Sequence, residues 1–598
     1  MAIVKLNKMT ISGLTKDKTI ILQSLQDMGG AHLIALTEQS RISQEEIHEK
    51  NREVLDALKY LNQCPRKRHQ VREDDSFDLQ RVTRQALRLK ELNRELLEQR
   101  DFLKNRIKEL EPWGDFTFPP LDNLRGIRLW FYKVPTHLMK KIDASLIYQV
   151  VHTDNAFSYI VVLSSVEPPA NAVPVPRTHT GSVPLSELKK QLYDLELKLE
   201  DIQAQRESLT RWITLMSLTL LQFEDKLDLQ QAMTMTQDDD SLFILQAWIP
   251  DEQRGHYQSL AQKLNLALLL EVPEPQEKPP TLLKNPEPVA AGENIIRFYQ
   301  IPGYYDWDPS AVVFFSFAVF FAMILSDAGY AMVLTVLLLL NWRKLKRTEK
   351  GRRLRYLFLV MVIFSLLWGA ASGTYFGVQP SEDSLLSKLV LVNLNDFDRM
   401  MKLSIAVGVV HIVLANLIKA WQKRNRRVAL SSIGWALLAI SGFVFWLNRD
   451  RFNENQQMIV FALMGFSLLL VMLFSSDDPH KTGLVRLLEG VKSLAGITRI
   501  FSDTLSYLRL FALGLASASL AMTFNQLAHH VLVAVPGVGL FFSIMILIAG
   551  HVLNLVLCLM SGVVHGLRLN FIEFYNWSIS DEGYPFKAFS HRRRITDA

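Results

Sequence analysis

The chain has 598 residues, a formal net charge of +6 and two cysteines, a length too great for a single domain. Much of its basic excess sits in loops between apolar runs, so the charge is no argument for nucleic-acid binding. Cys64 and Cys558 fall in different halves and support neither a disulfide framework nor a zinc site. Composition shifts near residue 300 from Glu, Lys, Gln and Leu to apolar runs, which reads as a water-soluble half followed by a membrane half. The opening MAIVKLNKMT has no apolar signal core, so residue 1 is expected in the cytoplasm.

In chain order, the pattern predicts strand, helix and strand over 3–11, 16–28 and 31–37, within a lobe of about 1–37. A helical region follows and breaks at Cys64-Pro65. From Leu79 to Leu110 a 3,4 spacing (Leu79, Val82, Ala86, Leu89, Asn93, Leu96, Arg100, Leu103, Ile107, Leu110) predicts a coiled-coil arm. A second seam runs through Leu185, Leu188, Leu192, Leu195, Leu199 and Ile202. The arms cover about 40–112 and 184–235. The path out and back makes them antiparallel, each roughly 50 Å long. Between them, about 120–175 reads as an α/β lobe with strands near 127–133 and 158–163. A last unit, 242–249, 252–264 and 266–271, is expected to return beside the first lobe. The soluble half, 1–300, has no G-x-x-x-x-G-K-[ST] loop, no G-x-G-x-x-G after a strand and no H-E-x-x-H, so it is not expected to hydrolyse a nucleotide by itself.

Apolar stretches at 309–325, 329–342, 355–377, 401–420, 428–447, 457–474, 500–528 and 538–572 predict about eight spans in a membrane domain of 301–576. The first two are short and form a hairpin at Ser326-Asp327-Ala328-Gly329. Basic loops (Arg343 to Arg355; Lys419, Lys423, Arg424, Arg426, Arg427) lie on one side, and an acidic loop (Glu382, Asp383, Asp396, Asp398) lies on the other. That alternation puts both termini, including the tail 577–598, inside. No Asp or Glu lies well inside any span: Asp327 is at a turn, and Asp503 and Glu573 are near ends.

The last two spans carry the chemistry. Arg509 and Arg568 lie almost equally far from the predicted turn Pro536-Gly537-Val538-Gly539, hence at similar depth on antiparallel helices. A guanidinium stays charged and costs roughly 2.5–3.5 kcal/mol at a bilayer centre. About 28 residues of helix measure ~42 Å against a ~30 Å hydrocarbon core. Upright helices would leave both arginines snorkelling at the interface, whereas steeply tilted ones would keep them in the membrane. His551, Asn554, Cys558, Ser561, His565 and Arg568 recur at spacings 3,4,3,4,3, one polar stripe on an apolar helix. Arg509 shares a face with Ala512, Ala516 and Ser519, small residues that let another surface approach. Stripe and arginine together point to a water-filled ion path.

These residues resemble a known family, the membrane stator subunit a (also called subunit I) of V-type and A-type rotary ATPases. The likeness covers essentially the whole chain. It rests on Pro280 to Asn285, Tyr304 to Pro309, Ser326-Asp327-Ala328-Gly329-Tyr330, Trp368-Gly369 with Gly373 to Gly377, and most specifically Ser502 to Leu510. Gly550 to Asn554 and His565 to Leu569 complete it. Two positions depart: some members have a glutamate where this chain has Cys558, and some a histidine where it has Ser517.

The resemblance implies a mainly α-helical protein whose N-terminal half binds peripheral-stalk subunits of the coiled-coil E/G type. Its last two spans would be long and tilted against a rotating proteolipid c/K ring. Arg509 would hold each ring carboxylate ionised as its ion leaves, with Arg568 as second cation. His551, Asn554, Ser561, His565 and Ser517 would line a half-channel for H⁺ or Na⁺. Nucleotide chemistry would belong to other ATPase subunits, with no cofactor or metal expected in this chain. The length and lack of a targeting sequence resemble bacterial or archaeal plasma-membrane members. The rival from another class is a self-contained secondary transporter or channel with a coiled-coil regulatory domain. A purely structural tether would leave the polar stripe without a role.

Overall fold

A computed structural model describes residues 3–36, 44–118, 126–169, 171–381, 383–384, 386–392, 396–422, 426–476, 483–534 and 537–591. Thr37, Glu382, Lys423, Arg424, Pro536 and the arginines of the tail lie outside the described residues. The described residues divide into two compact units, one within 44–228 and the other made of 3–36 and 229–591.

The N-terminal lobe forms from β1 (Leu6–Leu14), α1 (Lys18–Met28) and β2 (His32–Ile34). Alternating burial along β1 turns Met9 and Ile11 inward against Ile21, Leu22 and Leu25 of α1. The 44–228 unit begins with α2 (Gln44–Asn62) and α3 (Leu79–Leu110). The Asp78 side chain caps α3 by accepting from the amides of Gln80 and Arg81. Strands β3 (Arg128–Pro135), β4 (Ile147–Thr153) and β5 (Phe157–Ser164) follow, then α4 (Leu185–Leu209) and α5 (Ile213–Met235). Ile107 and Leu110 cluster with Leu185 and Leu188, and Val82, Ala86 and Leu89 with Ile202, so α3 and α4 pack antiparallel as the two seams require. Asn93 and Arg100, the two polar seam positions, are half-buried.

The middle lobe differs from the α/β expectation. It is an antiparallel sheet of order β3-β5-β4, with a 3₁₀ turn at Thr136–Lys141 and no α-helix among its described residues. Every residue of β4 is exposed. An edge strand with neither face covered gives no hydrophobic alternation for a sequence reading to detect.

The chain returns through β6 (Gln237–Asp239), β7 (Leu242–Pro250), α6 (Arg254–Lys263) and β8 (Ala267–Glu271). These join the N-terminal strands in one sheet of order β2-β7-β1-β8, with β6 on β7. The return beside the first lobe is therefore a shared sheet. A neck follows, with α7 (Ala291–Tyr299). Asn285 organises it: its amide donates to Glu293 Oε1 (2.7 Å) and its Nδ2 to Asp308 Oδ2 (2.5 Å). The Tyr304 hydroxyl accepts from the Leu6 amide of β1 (2.8 Å).

The membrane half consists of α8 (Ser310–Leu325), α9 (Ala328–Leu345), α10 (Glu349–Ser372), α11 (Phe397–Gln422), α12 (Arg426–Asn448), α13 (Glu454–Phe474), α14 (Gly483–Ser493), α15 (Gly496–Ser506), α16 (Leu508–Ala534) and α17 (Gly539–Arg568). Among the described residues, six segments are long and apolar enough to cross a membrane; the last two run Leu484–Ala534 and Gly539–Ser578. The other two of the expected eight stretches are the short helices α8 and α9. The first two stretches are helices of 16 and 18 residues, about 24 and 27 Å, each short of a ~30 Å core. They turn at Ser326-Asp327 as predicted, and α10 packs along both. The turn between α16 and α17 also falls where expected. The apolar core gathers Val313, Phe320 and Ile324 of α8 with Ile412, Trp435, Val471, Tyr507, Leu510 and Phe574.

Candidate ion-path site

Arg509 owes its place to a break in the helix. α15 stops at Ser506, and α16 starts at Leu508, so Arg509 stands in the first turn of α16 and not mid-helix as the apolar run suggests. The intervening Tyr507 is fully buried, its ring against Gly408 of α11, where a Cβ would come within 2.6 Å of it. Its hydroxyl lies 2.8 Å from His411 Nδ1, and His411 stacks on Phe574 with ring centroids 4.3 Å apart. Leu510, Gly514, Ser517 and Ala521 form the inner face of α16. Arg509 is half-buried on the other side, and Ala512, Ala516 and Ser519 beside it are exposed. This small-residue face has no packing partner within the described chain.

α17 lies along α16. Its glycines let neighbours close in: a Cβ at Gly550 would meet the Phe524 ring at 2.3 Å, and one at Gly562 the Phe321 ring at 2.7 Å. The polar stripe of α17 separates into two parts. Asn554 and Cys558 are buried (1% and 4% exposed), His551, Ser561 and His565 are half-buried, and the Arg568 side chain is 51% exposed.

The inner part is a hydrogen-bonded chain. Asn554 Nδ2 donates to the Tyr330 hydroxyl and to the Ser517 carbonyl, both at 3.0 Å. The Tyr330 hydroxyl is 2.8 Å from His551 Nδ1, and His551 Nε2 is 3.0 Å from Asn525 Oδ1. Asn525 Nδ2 donates to the Phe376 carbonyl (2.8 Å). With His551 neutral, these contacts require an imidazole protonated at Nε2 and accepting at Nδ1 from Tyr330. Donors then run one way from Asn554 through Tyr330 and His551 to Asn525. Ser517 Oγ and Cys558 Sγ lie 2.9 Å apart, so the two positions that depart from the family pattern face each other.

The outer part holds the charges. Beyond Arg568 the helix widens into a π-helical segment, Leu569–Phe574, a distortion that frequently marks functional sites. Glu573 is 1% exposed, with Oε1 3.9 Å from Arg568 Nε. This carboxylate lies near the end of the continuous helical run to Ser578, as its place in the sequence suggests. Arg509 is within electrostatic reach of both Arg568 and Glu573. Arg509 Nη1, His565 Nδ1 and Glu573 Oε2 are buried without hydrogen-bond partners.

Tyr330, Asn525, Asp327 and Glu573 complete the site and were not named from sequence as part of it. A signal existed for Asn525: with Ser517 and Ala521 it repeats every four residues on the inner face. Asp327 is the buried cap of α9, accepting from the amides of Tyr330 (3.1 Å), Phe376 and Gly377 (2.9 Å each).

The fold defines a multi-pass membrane protein bearing a large N-terminal α/β and coiled-coil region, with two cations and a buried carboxylate on its last two spans. Residues 168–379 and 496–591, just over half of the chain, match the model of the V-type ATPase 116kDa subunit family, and the chain belongs to that family. It is 26% identical to the V-type ATP synthase subunit I of Chlamydia pneumoniae over 86% of each chain. It is 24% identical to that of Borreliella burgdorferi over 96% of this chain and 97% of the relative. It is 29% identical to the A-type ATP synthase subunit I of Methanocaldococcus jannaschii over 60% and 56%. A crystal structure of the cytoplasmic N-terminal domain of a V-ATPase subunit I is matched at 12% identity, covering 44% of this chain and 99% of that one, with a TM-score of 0.23.

Proposed function

We propose that this chain is the stator subunit I of a V/A-type ATPase, working with the other ATPase subunits in a bacterial or archaeal plasma membrane. The carrying observation is Arg509: a half-buried guanidinium with a partnerless nitrogen, on a face of exposed small residues, beside a second cation. A proteolipid ring docks on that face. Each ring carboxylate crosses lipid neutral with its H⁺ or Na⁺. Opposite Arg509 it ionises, because a nearby cation lowers a carboxylate pKa by about 1–3 units. The ion leaves through one half-channel, and the carboxylate reloads from an offset second one. The fixed charge of Arg509 repels cations and blocks direct leakage.

Ser561 and His565 line the open part of one half-channel. Asn554, His551 and Ser517, with Tyr330 and Asn525, form its closed, hydrogen-bonded continuation. α16 and α17, about 40 and 45 Å long, tilt to keep both arginines within the hydrocarbon. Both termini are cytoplasmic, and the lobes of the soluble half bind peripheral stalks. Nucleotide chemistry resides in partner subunits.

The test is ATP-driven ion uptake by vesicles at matched complex abundance. Arg509→Ala abolishes uptake with assembly retained. Arg509→Lys is severely impaired, because lysine lacks the planar fork and its charge weakens on burial. Near-normal uptake with Arg509→Ala would refute the reading. Buried Glu573 gives one foothold to the rival, a self-contained transporter using its own carboxylate. That rival requires gradient-driven ion flux from the chain reconstituted without ring or ATPase subunits.

A further inference from the structure

Glu573 has no part in the ion path proposed for Arg509, and burial of an unpaired carboxylate costs several kcal/mol. We propose that Glu573 is the built-in counter-charge of the Arg509–Arg568 pair, held nearest to Arg568, a positioning residue that leaves the two cations with one net positive charge before the ring; this inference rests on the proposed stator function.

Helix geometry carries the argument. In an α-helix of 3.6 residues per turn, a residue five positions on lies about 140° round the axis. Residue 573 would then point away from residue 568. A π-helical turn repeats at i→i+5 and returns the fifth residue to nearly the same side. The distortion at Leu569–Phe574 begins directly after Arg568 and brings Glu573 Oε1 to 3.9 Å from its Nε. Burial reinforces the pairing. Glu573 is almost wholly enclosed and its Oε2 has no hydrogen-bond partner, so the arginine at Oε1 is the cation facing it most closely. Of the other ionisable groups around it, Arg509 of α16 is the second cation within electrostatic reach, Asp503 of α15 accepts from Trp577 Nε1 (2.7 Å) and lies 3.9 Å from Arg499, and His565 projects from α17.

The pair changes what a ring carboxylate meets. Arg509, Arg568 and Glu573 together carry one net positive charge. Without the glutamate they carry two, and the added cation disfavours the ion-loaded carboxylate. One pKa unit on a carboxylate is a factor of ten in affinity for a proton, and a neighbouring cation shifts a carboxylate by 1–3 such units.

The measurement is the half-saturating ion concentration for ATP-driven uptake, in vesicles carrying the whole complex. Glu573→Gln should raise it about tenfold with the complex still assembled. Glu573→Asp, which keeps the charge, should stay within about threefold of the parent. The double substitution Glu573→Gln with Arg568→Gln restores one net charge and should return half-saturation toward the parent value, with maximal uptake lowered by the lost cation. A merely structural glutamate would give additive losses in the double variant. A change below twofold in Glu573→Gln, or additive effects in the double variant, overturns the proposal. If Glu573→Gln alone fails to assemble, the double variant should assemble again, and its failure to do so also overturns it. Loss of uptake in Arg509→Ala together with an unaltered Glu573→Gln removes only this inference; retained uptake in Arg509→Ala removes the stator reading beneath it.

Discussion

Tyr330→Phe tests the hydrogen-bonded chain at its centre. The substitution keeps the ring, which is 1% exposed and packed edge-on to Phe376 at 5.5 Å, and removes one oxygen. That oxygen accepts from Asn554 Nδ2 and donates to His551 Nδ1. Asn554 keeps its second bond to the Ser517 carbonyl, but one amide hydrogen is left unpaired in a site 1% exposed. Hydrogen bonds between membrane helices average about 0.6 kcal/mol each, so two lost bonds give about 1 kcal/mol. The orphaned buried donor adds to this, since such a group costs about 1–3 kcal/mol where no water replaces the partner. A total near 2 kcal/mol is expected. Unfolding of the full-length chain in mixed detergent–SDS micelles reads it. The Asn554→Leu background should reduce the Tyr330→Phe effect by at least about 0.6 kcal/mol, the coupling expected of contacting residues. A loss below about 0.3 kcal/mol in the parent, or full additivity, would refute the chain as drawn.

Gly377 has φ +73° and a Cβ there would come within 2.6–2.9 Å of Ala521 and Met522 of α16. Gly377→Ala should therefore lower the folded yield in membranes, whereas Gly465→Ala in α13, with nothing within 4 Å of its Cβ, should be neutral or slightly stabilising. In the assembled complex, Ser561→Cys and His565→Cys should react with aqueous thiol reagents while Asn554→Cys stays protected; protection of all three would mean a packed face and no water path. In the N-terminal lobe, burial pushes the His32 pKa below its usual 6.5, and Nδ1 accepts from the Lys587 amide (2.9 Å), which a protonated ring cannot do. The folded state then binds fewer protons than the unfolded one, so His32 contributes stability above about pH 6.5 that is lost as pH falls below it. The hydrogen-exchange protection of the Lys587 amide, taken relative to its intrinsic base-catalysed rate, should fall from pH 7.5 to 5.5, and His32→Phe should remove that pH dependence.

The arms were legible because a heptad seam reports burial directly: Val82, Ala86, Leu89, Ile107 and Leu110 are buried where the spacing puts them. The βαβ pattern at both ends of the soluble half was legible for the same reason. Strand β4 was not, since an edge strand exposed on both faces has no pattern to leave. The apolar run from 500 to 528 hides the break at Tyr507, which is made by tertiary contacts with Gly408 and His411. Likewise, nothing local in Leu569–Phe574 separates a π turn from an ordinary helix, so the meeting of Glu573 with Arg568 was invisible. The stripe on α17 was legible as a stripe. Its division into a closed and an open part depends on Tyr330, Ser517 and Asn525, which come from other helices. Motifs such as Pro280 to Asn285 carried the family resemblance, and the Asn285 bridge between Glu293 and Asp308 shows what that segment does physically.

Disulfide cross-linking tests most directly whether Arg509 faces a rotating carboxylate. Ala516→Cys lies two turns along the exposed face from Arg509, and its partner is a cysteine one helical turn from the essential carboxylate of the ring subunit. Mild oxidation of the complex in vesicles should join the two, stop ATP-driven ion uptake, and release it again on reduction. Absence of any cross-link from position 516, with efficient cross-linking of the ring to another membrane helix of this chain, would contradict the assignment.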